Sequence, residues 1–229
     1  MGDAYLVGHV RGRLIAFDLD GTLIDSSRDL ANSINELLGE LGAPALPLSE
    51  VVSMIGSGAK VLIRRALAAS GIPEDPAAIA RFLEIYDRRL LEHTGPYDGI
   101  VEIVRDARQH ARVAVLTNKP AAPTEKILAG LGMRELFDDV IGSDGEFPRK
   151  PNPAGLLALI ERAGATPART LMVGDSGIDY ETAKSADARC CLVSYGFTDV
   201  PRDSSGIDAW IAPDPPSLAA IVTRFLARE

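Results

Sequence analysis

The chain has 229 residues, 46% of them hydrophobic, a formal net charge of -8 and a mean hydropathy of +0.08. That length and apolar fraction suffice for a substantial core, as one domain or as a domain carrying an insert. The acidic balance and the lack of basic runs argue against nucleic acid as the main partner, and no apolar stretch approaches the length of a membrane span.

Residues 1–13 read as an irregular lead-in with no charged-then-apolar leader pattern, and Leu6 stands where a myristoylation motif requires Ser or Thr. Leu14-Ile15-Ala16-Phe17 is an apolar run without alternation, which suits a strand buried on both faces. It leads straight into Asp18-Leu19-Asp20-Gly21. Ligands bind beyond the carboxyl ends of such strands, and residues two apart on extended chain face the same way. Two carboxylates sharing one space repel each other, and a divalent cation relieves that repulsion. The plainer reading of Asp-Gly between apolar residues is a tight turn with Asp18 as its cap.

Ser26 and Asp29 have the spacing of a capping box, opening a helix that carries Ile34, Leu37, Leu38 and Leu41 on one face and stops at Gly42. Further helical patterns cover 49–55, 60–69 and 76–93, broken at Gly56-Ser57-Gly58 and Gly71-Ile72-Pro73. Nothing between Asp25 and Pro96 has a strand pattern, so this stretch reads as a helical insert. From Ile100 the pattern alternates. A helix over 100–109 precedes a strand over 113–116 that ends at Thr117-Asn118. A helix over 123–131 precedes a short strand at Val140-Ile141, and a helix capped by Asn152 with Pro153 at its first position closes at Gly164. A strand over 170–173 runs into Gly174-Asp175-Ser176, followed by a helix over 178–185, strands at 190–193 and 210–212, and a helix over 216–228. Adjacent Cys190 and Cys191 lie in an apolar run and read as packed thiols, consistent with a reducing, cytoplasmic setting. Such alternation means βαβ units and a mainly parallel sheet with helices on both faces. The predicted architecture is an α/β core (1–24 and 97–229) interrupted by a helical cap (25–96).

Three strands thus end in polar residues at one sheet edge: Asp18/Asp20, Thr117/Asn118 and Asp175/Ser176, with Lys150 ahead of the helix capped by Asn152. Carboxylates for a hard cation, neutral donors and one ammonium beside a helix N-terminus suit a phosphoryl group, whose transfer depends on charge neutralisation and positioning. Asp18-Leu19-Asp20-Gly21-Thr22-Leu23, Thr117-Asn118, Lys150-Pro151 and Gly174-Asp175-Ser176-Gly177-Ile178-Asp179 resemble, in order, the four motifs of the haloacid dehalogenase superfamily. Gly21-Thr22-Leu23-Ile24-Asp25-Ser26, Ile55-Gly56-Ser57-Gly58 and Lys150-Pro151-Asn152-Pro153 are most similar to its phosphoglycolate phosphatase branch.

The resemblance implies a doubly wound, Rossmann-like core with an inserted all-helical cap. It implies Asp18 as a nucleophile that becomes an aspartyl phosphate, and Asp20 as general acid and base. It further implies Mg²⁺ held by Asp18, the main-chain carbonyl of Asp20 and Asp175, and phosphoryl oxygens held by Thr117, the amide of Asn118 and Lys150. Asp179 stands behind them, or simply completes a capping box with Ser176. The implied partner is a small phosphorylated metabolite. Its carboxylate, were it phosphoglycolate, needs a donor from the cap, with Ser57, nearby amides, Arg64 and Arg65 as candidates. The alternatives are a sugar phosphomutase, a dehalogenase, which Asp20 disfavours, and a relative that kept the fold without catalysis. His9, His93 and His110 lie outside every motif and supply no histidine triad.

Overall fold

The computed structural model describes residues 12–198, 200 and 209–228; most of the expected lead-in, with Leu6 and His9, lies outside the described residues. In chain order the elements are β1 (Leu14–Phe17), β2 (Ile24–Asp25), α1 (Ser27–Glu40), α2 (Leu48–Val52), α3 (Ala59–Ala69), α4 (Pro76–Arg89), β3 (Gly95–Pro96), α5 (Ile100–Arg108), β4 (Arg112–Leu116), α6 (Ala121–Gly130), β5 (Asp139–Ile141), α7 (Ala154–Ala163), β6 (Thr170–Gly174), α8 (Gly177–Ser185), β7 (Arg189–Val193), β8 (Ala209–Ala212) and α9 (Pro215–Leu226). Six strands form one sheet in the order β5-β4-β1-β6-β7-β8, and every pairing in it is parallel.

Both faces of this sheet are covered, which is why its strands are apolar runs rather than alternating ones. Along β1, Ile15 and Phe17 belong to one buried cluster, with residues of α5, α6 and α9; Leu14 and Ala16 belong to the other, with residues of α7 and α8. The first cluster continues into α1–α4 through Leu30, Ile34, Phe82 and Ile85. Cys190 and Cys191 are buried and free, one on each face, and burial pushes the Cys191 thiol up to about 12.

Four sequence expectations need correction. A strand pair does flank the helical segment: β2 and β3 form a two-residue antiparallel ladder, too short for any alternation to register. The capping box at Ser26 is absent. The Ser26 hydroxyl donates to Asp20 Oδ1 at 2.6 Å, and Asp29 turns to the far end of the helical segment. There Asp29 Oδ2 accepts from the His93 and Thr94 amides and the Thr94 hydroxyl, all at 2.8–2.9 Å. Leu41, expected on the buried face of α1, is exposed at its C-terminus. Asn152 lies one residue earlier than a true N-cap, yet its Oδ1 accepts from the Ala154 amide, and Gly164 closes α7 in the left-handed conformation.

Candidate active site

β1 sits between β4 and β6, so the chain runs away from it on both sides and leaves a crevice at the strands' carboxyl ends. Asp18 follows the last residue of β1, and its amide donates to Val173 of β6, which fixes its height beside Asp175. Asp175 follows β6 in the same way. Oxygens of Asp18, Asp175 and Asp179 lie within 4.8 Å of one another, all three residues buried. Their crowding has an electrostatic cost. Burial lifts Asp18 to about 6 against the opposing pull of Lys150, and burial together with Asp18 and Asp179 lifts Asp175 to about 8.

Lys150 precedes a cis peptide bond to Pro151 and sends its ammonium into this cluster, 2.8 Å from Asp18 Oδ1 and 2.6 Å from Asp179 Oδ1. Burial pulls the ammonium's pKa down, but Asp179 and Asp18 outweigh it and hold Lys150 above the usual lysine range. The Asp179 contact is a hydrogen bond, and the Asp18 contact is a buried ion pair on Oδ1. Asp179 also forms the capping box: its Oδ2 accepts from the Ser176 amide and hydroxyl, while its own amide donates to Ser176 Oγ. The capping box read for Asp179 is thus present, and the same side chain also binds Lys150.

The rest of the site is built by close backbone approach. A Cβ on Gly174 would lie 2.2 Å from Asp179 Cγ, and one on Gly21, where φ is +84°, would lie 2.4 Å from Asp175 Oδ2. Asp175 Oδ2 accepts from the Phe197 amide at 2.7 Å, and the Thr198 hydroxyl donates to the Asp175 carbonyl. Thr117 is buried, and its Oγ1 accepts from the Lys119 amide. The side-chain amide of Asn118 donates to the Gly56 and Lys150 carbonyls, so it ties the loop before α3 to the loop before α7. Three buried carboxylates within reach of one another, carrying more negative charge than the one Lys150 ammonium balances, fit a small divalent cation.

Sequence reasoning missed Lys119. Its buried ammonium donates to Asp20 Oδ1 and Oδ2 at 3.0 and 3.1 Å and to the Tyr86 hydroxyl of α4 at 2.7 Å. Its position directly after Thr117-Asn118 was the available signal, but its partners lie 99 and 33 residues away in the chain. Of the candidates for a substrate carboxylate, Arg64 points to Glu74 on the exposed surface and Arg65 donates to the Met54 carbonyl. Arg65 and Ser57 line a cavity of about 440 Å³ over Ser176 and Gly177. The cavity that reaches Asp18 and Asp20 is different: about 50 Å³, walled by Leu30, Ile55, Leu62 and Phe82 with Lys119 and Tyr86.

The sheet, the crevice at β1 and the cluster of carboxylates around a buried ammonium define an α/β enzyme with a site for charged, oxygen-rich ligands. The chain matches the haloacid dehalogenase-like hydrolases over residues 15–193 and belongs to that family. It is 35% identical over 204 residues to the phosphoglycolate phosphatase of Caulobacter vibrioides, covering 87% of this chain and 86% of that one. It is 41% identical over 193 residues to the phosphoglycolate phosphatase of Pseudomonas putida, covering 81% and 70%. Among solved structures, that of a predicted phosphoglycolate phosphatase from Haemophilus somnus 129pt is similar with a TM-score of 0.85 and 32% identity, covering 92% of this chain and 97% of that one.

Proposed function

We propose that this chain is a Mg²⁺-dependent phosphatase acting on phosphoglycolate, with residues 25–96 as a cap over a core of 1–24 and 97–229. The observation that carries this reading is the cluster at the switch point of the sheet: Asp18 with Asp175 and Asp179, their oxygens within 4.8 Å of one another, and the locked Lys150 ammonium 2.8 Å from Asp18 Oδ1. Relatives of that printed activity at 35% and 41% identity support it.

In this reading Asp18 attacks phosphorus, the ester oxygen leaves with a proton from Asp20, and Asp18 carries the phosphoryl group. Asp20 then takes a proton from the water that attacks the aspartyl phosphate, restoring Asp18 and releasing phosphate. Lys150, held by Asp179, neutralises charge on the phosphoryl oxygens beside Thr117 and Asn118. Asp18, the Asp20 main-chain carbonyl and Asp175 would hold the Mg²⁺, with Asp179 behind them; bound there, it would offset negative charge and orient the phosphoryl group. The test is a panel of phosphate esters assayed with Mg²⁺ and with chelator on wild type and Asp18→Asn. Hydrolysis that requires the metal and falls at least about 10³-fold in Asp18→Asn is expected. Wild-type turnover in Asp18→Asn would remove the covalent route. A sugar 1-phosphate isomerised faster than any ester is hydrolysed would replace the phosphatase with a mutase.

A further inference from the structure

We propose that Lys119 is the specificity-determining cation of this site, its ammonium receiving the carboxylate of a short leaving group and thereby releasing Asp20 to act on the ester oxygen. The inference rests on the phosphatase reading above and assigns what that reading leaves open, the group that selects the substrate.

Among the described residues, the cavity touching both Asp18 and Asp20 has Lys119 as the sole cation in its lining. The other buried ammonium, Lys150, is engaged by Asp18 and Asp179 and does not line this cavity. Arg64 and Arg65, the cations weighed above for a substrate carboxylate, face Glu74 and Met54 instead, and Lys60, which follows the cap loop, is exposed. Among the described side chains that line this cavity, a second negative charge on the leaving-group side has Lys119 as its cationic partner. At about 50 Å³, with Leu30, Ile55, Leu62 and Phe82 as walls, the space favours a small leaving group and offers little to sugar hydroxyls. A two- or three-carbon carboxylate is the chemistry that fits both the charge and the size.

Lys119 also couples recognition to reaction. An ammonium has three N–H donors. Here two are spent on Asp20 and one on the Tyr86 hydroxyl. In that arrangement both Asp20 oxygens are occupied, Oδ1 further by the Ser26 hydroxyl. An incoming carboxylate competes for the donor on Asp20 Oδ2, and Ser26 keeps Oδ1 in register while Oδ2 turns to the ester oxygen. A neutral leaving group leaves the clamp closed, so discrimination falls on kcat as well as on KM.

The experiment compares phosphoglycolate with ethyl phosphate, which has similar reach without the charge, on wild type, Lys119→Met and Lys119→Arg in Mg²⁺. Wild type is expected to prefer phosphoglycolate. Lys119→Met is expected to lose roughly 100-fold in kcat/KM on phosphoglycolate and at most roughly tenfold on ethyl phosphate, so the preference collapses. Lys119→Arg lowers the rates yet retains the preference. Equal losses on both esters in Lys119→Met, or a lost preference in Lys119→Arg, would reduce Lys119 to a positioning residue for Asp20 and overturn the inference alone. A wild type that hydrolyses esters without favouring the carboxylate would overturn the substrate reading itself. Melting curves verify folding, and Lys119→Gln carries the same expectation if Lys119→Met does not fold.

Discussion

At Asp179 one carboxylate serves two neighbours through different oxygens: Oδ2 closes the α8 cap with Ser176, and Oδ1 fixes Lys150. An amide in its place still accepts from Ser176, but Lys150 is left with Asp18 as its only carboxylate. Removing the Asp179 carboxylate takes from the buried Lys150 ammonium its shortest ion pair and hydrogen bond, a cost that relief of repulsion on Asp18 and Asp175 offsets only in part. Asp179→Asn is expected to lose about 3 kcal/mol of stability, seen as a lower urea midpoint at unchanged slope. It is also expected to raise the KM for any phosphate ester, since Lys150 is no longer held against the site. An unshifted midpoint would mean that the pair is not felt in folding. The same crowding explains Gly174, where a side chain would occupy the space of Asp179 Cγ.

The elements show why equal sequence spacing gives unequal structure. Ser26-x-x-Asp29 and Ser176-x-x-Asp179 carry the same capping signal, and only the second forms the box. Local rules win where no stronger partner is near. Asp20 claims the hydroxyl of Ser26, and the chain returning from α4 presents three donors to Asp29. Both partners depend on tertiary structure and leave no local pattern. The core strands were legible because burial on both faces writes an apolar run, and the site carboxylates because they follow those runs directly. Lys119 and the β2–β3 ladder were not, since one depends on Tyr86 and Asp20 and the other is two residues long. Asp29 therefore acts as a clasp between both ends of the helical segment. Asp29→Ala is expected to cost about 2–4 kcal/mol and to expose the 92–95 segment to limited proteolysis before the core unfolds. Cleavage no faster than in wild type would show that β2–β3 pairing holds the junction alone.

Stability of the whole molecule is tied to the charge state of its crevice. Asp18 and Asp175 titrate near 6 and 8 in the fold, against 3.8 for an unconstrained aspartate. Between pH 4 and 8 the folded chain thus binds more protons at these two groups than the unfolded chain does, so their contribution to stability falls as pH rises through that window. A divalent cation binds the deprotonated carboxylates, and its stabilisation grows over the same range because protons no longer compete. The gap in Tm between Mg²⁺ and chelator is therefore expected to widen from pH 5 to pH 8, while the chelator curve declines. Asp175→Asn removes the group with the larger shift, so its chelator curve declines less and its gap stays small at every pH. A gap independent of pH in wild type would show that the crevice carboxylates are already ionised without the cation, and that the closeness of Asp18, Asp175 and Asp179 is balanced by Lys150 alone.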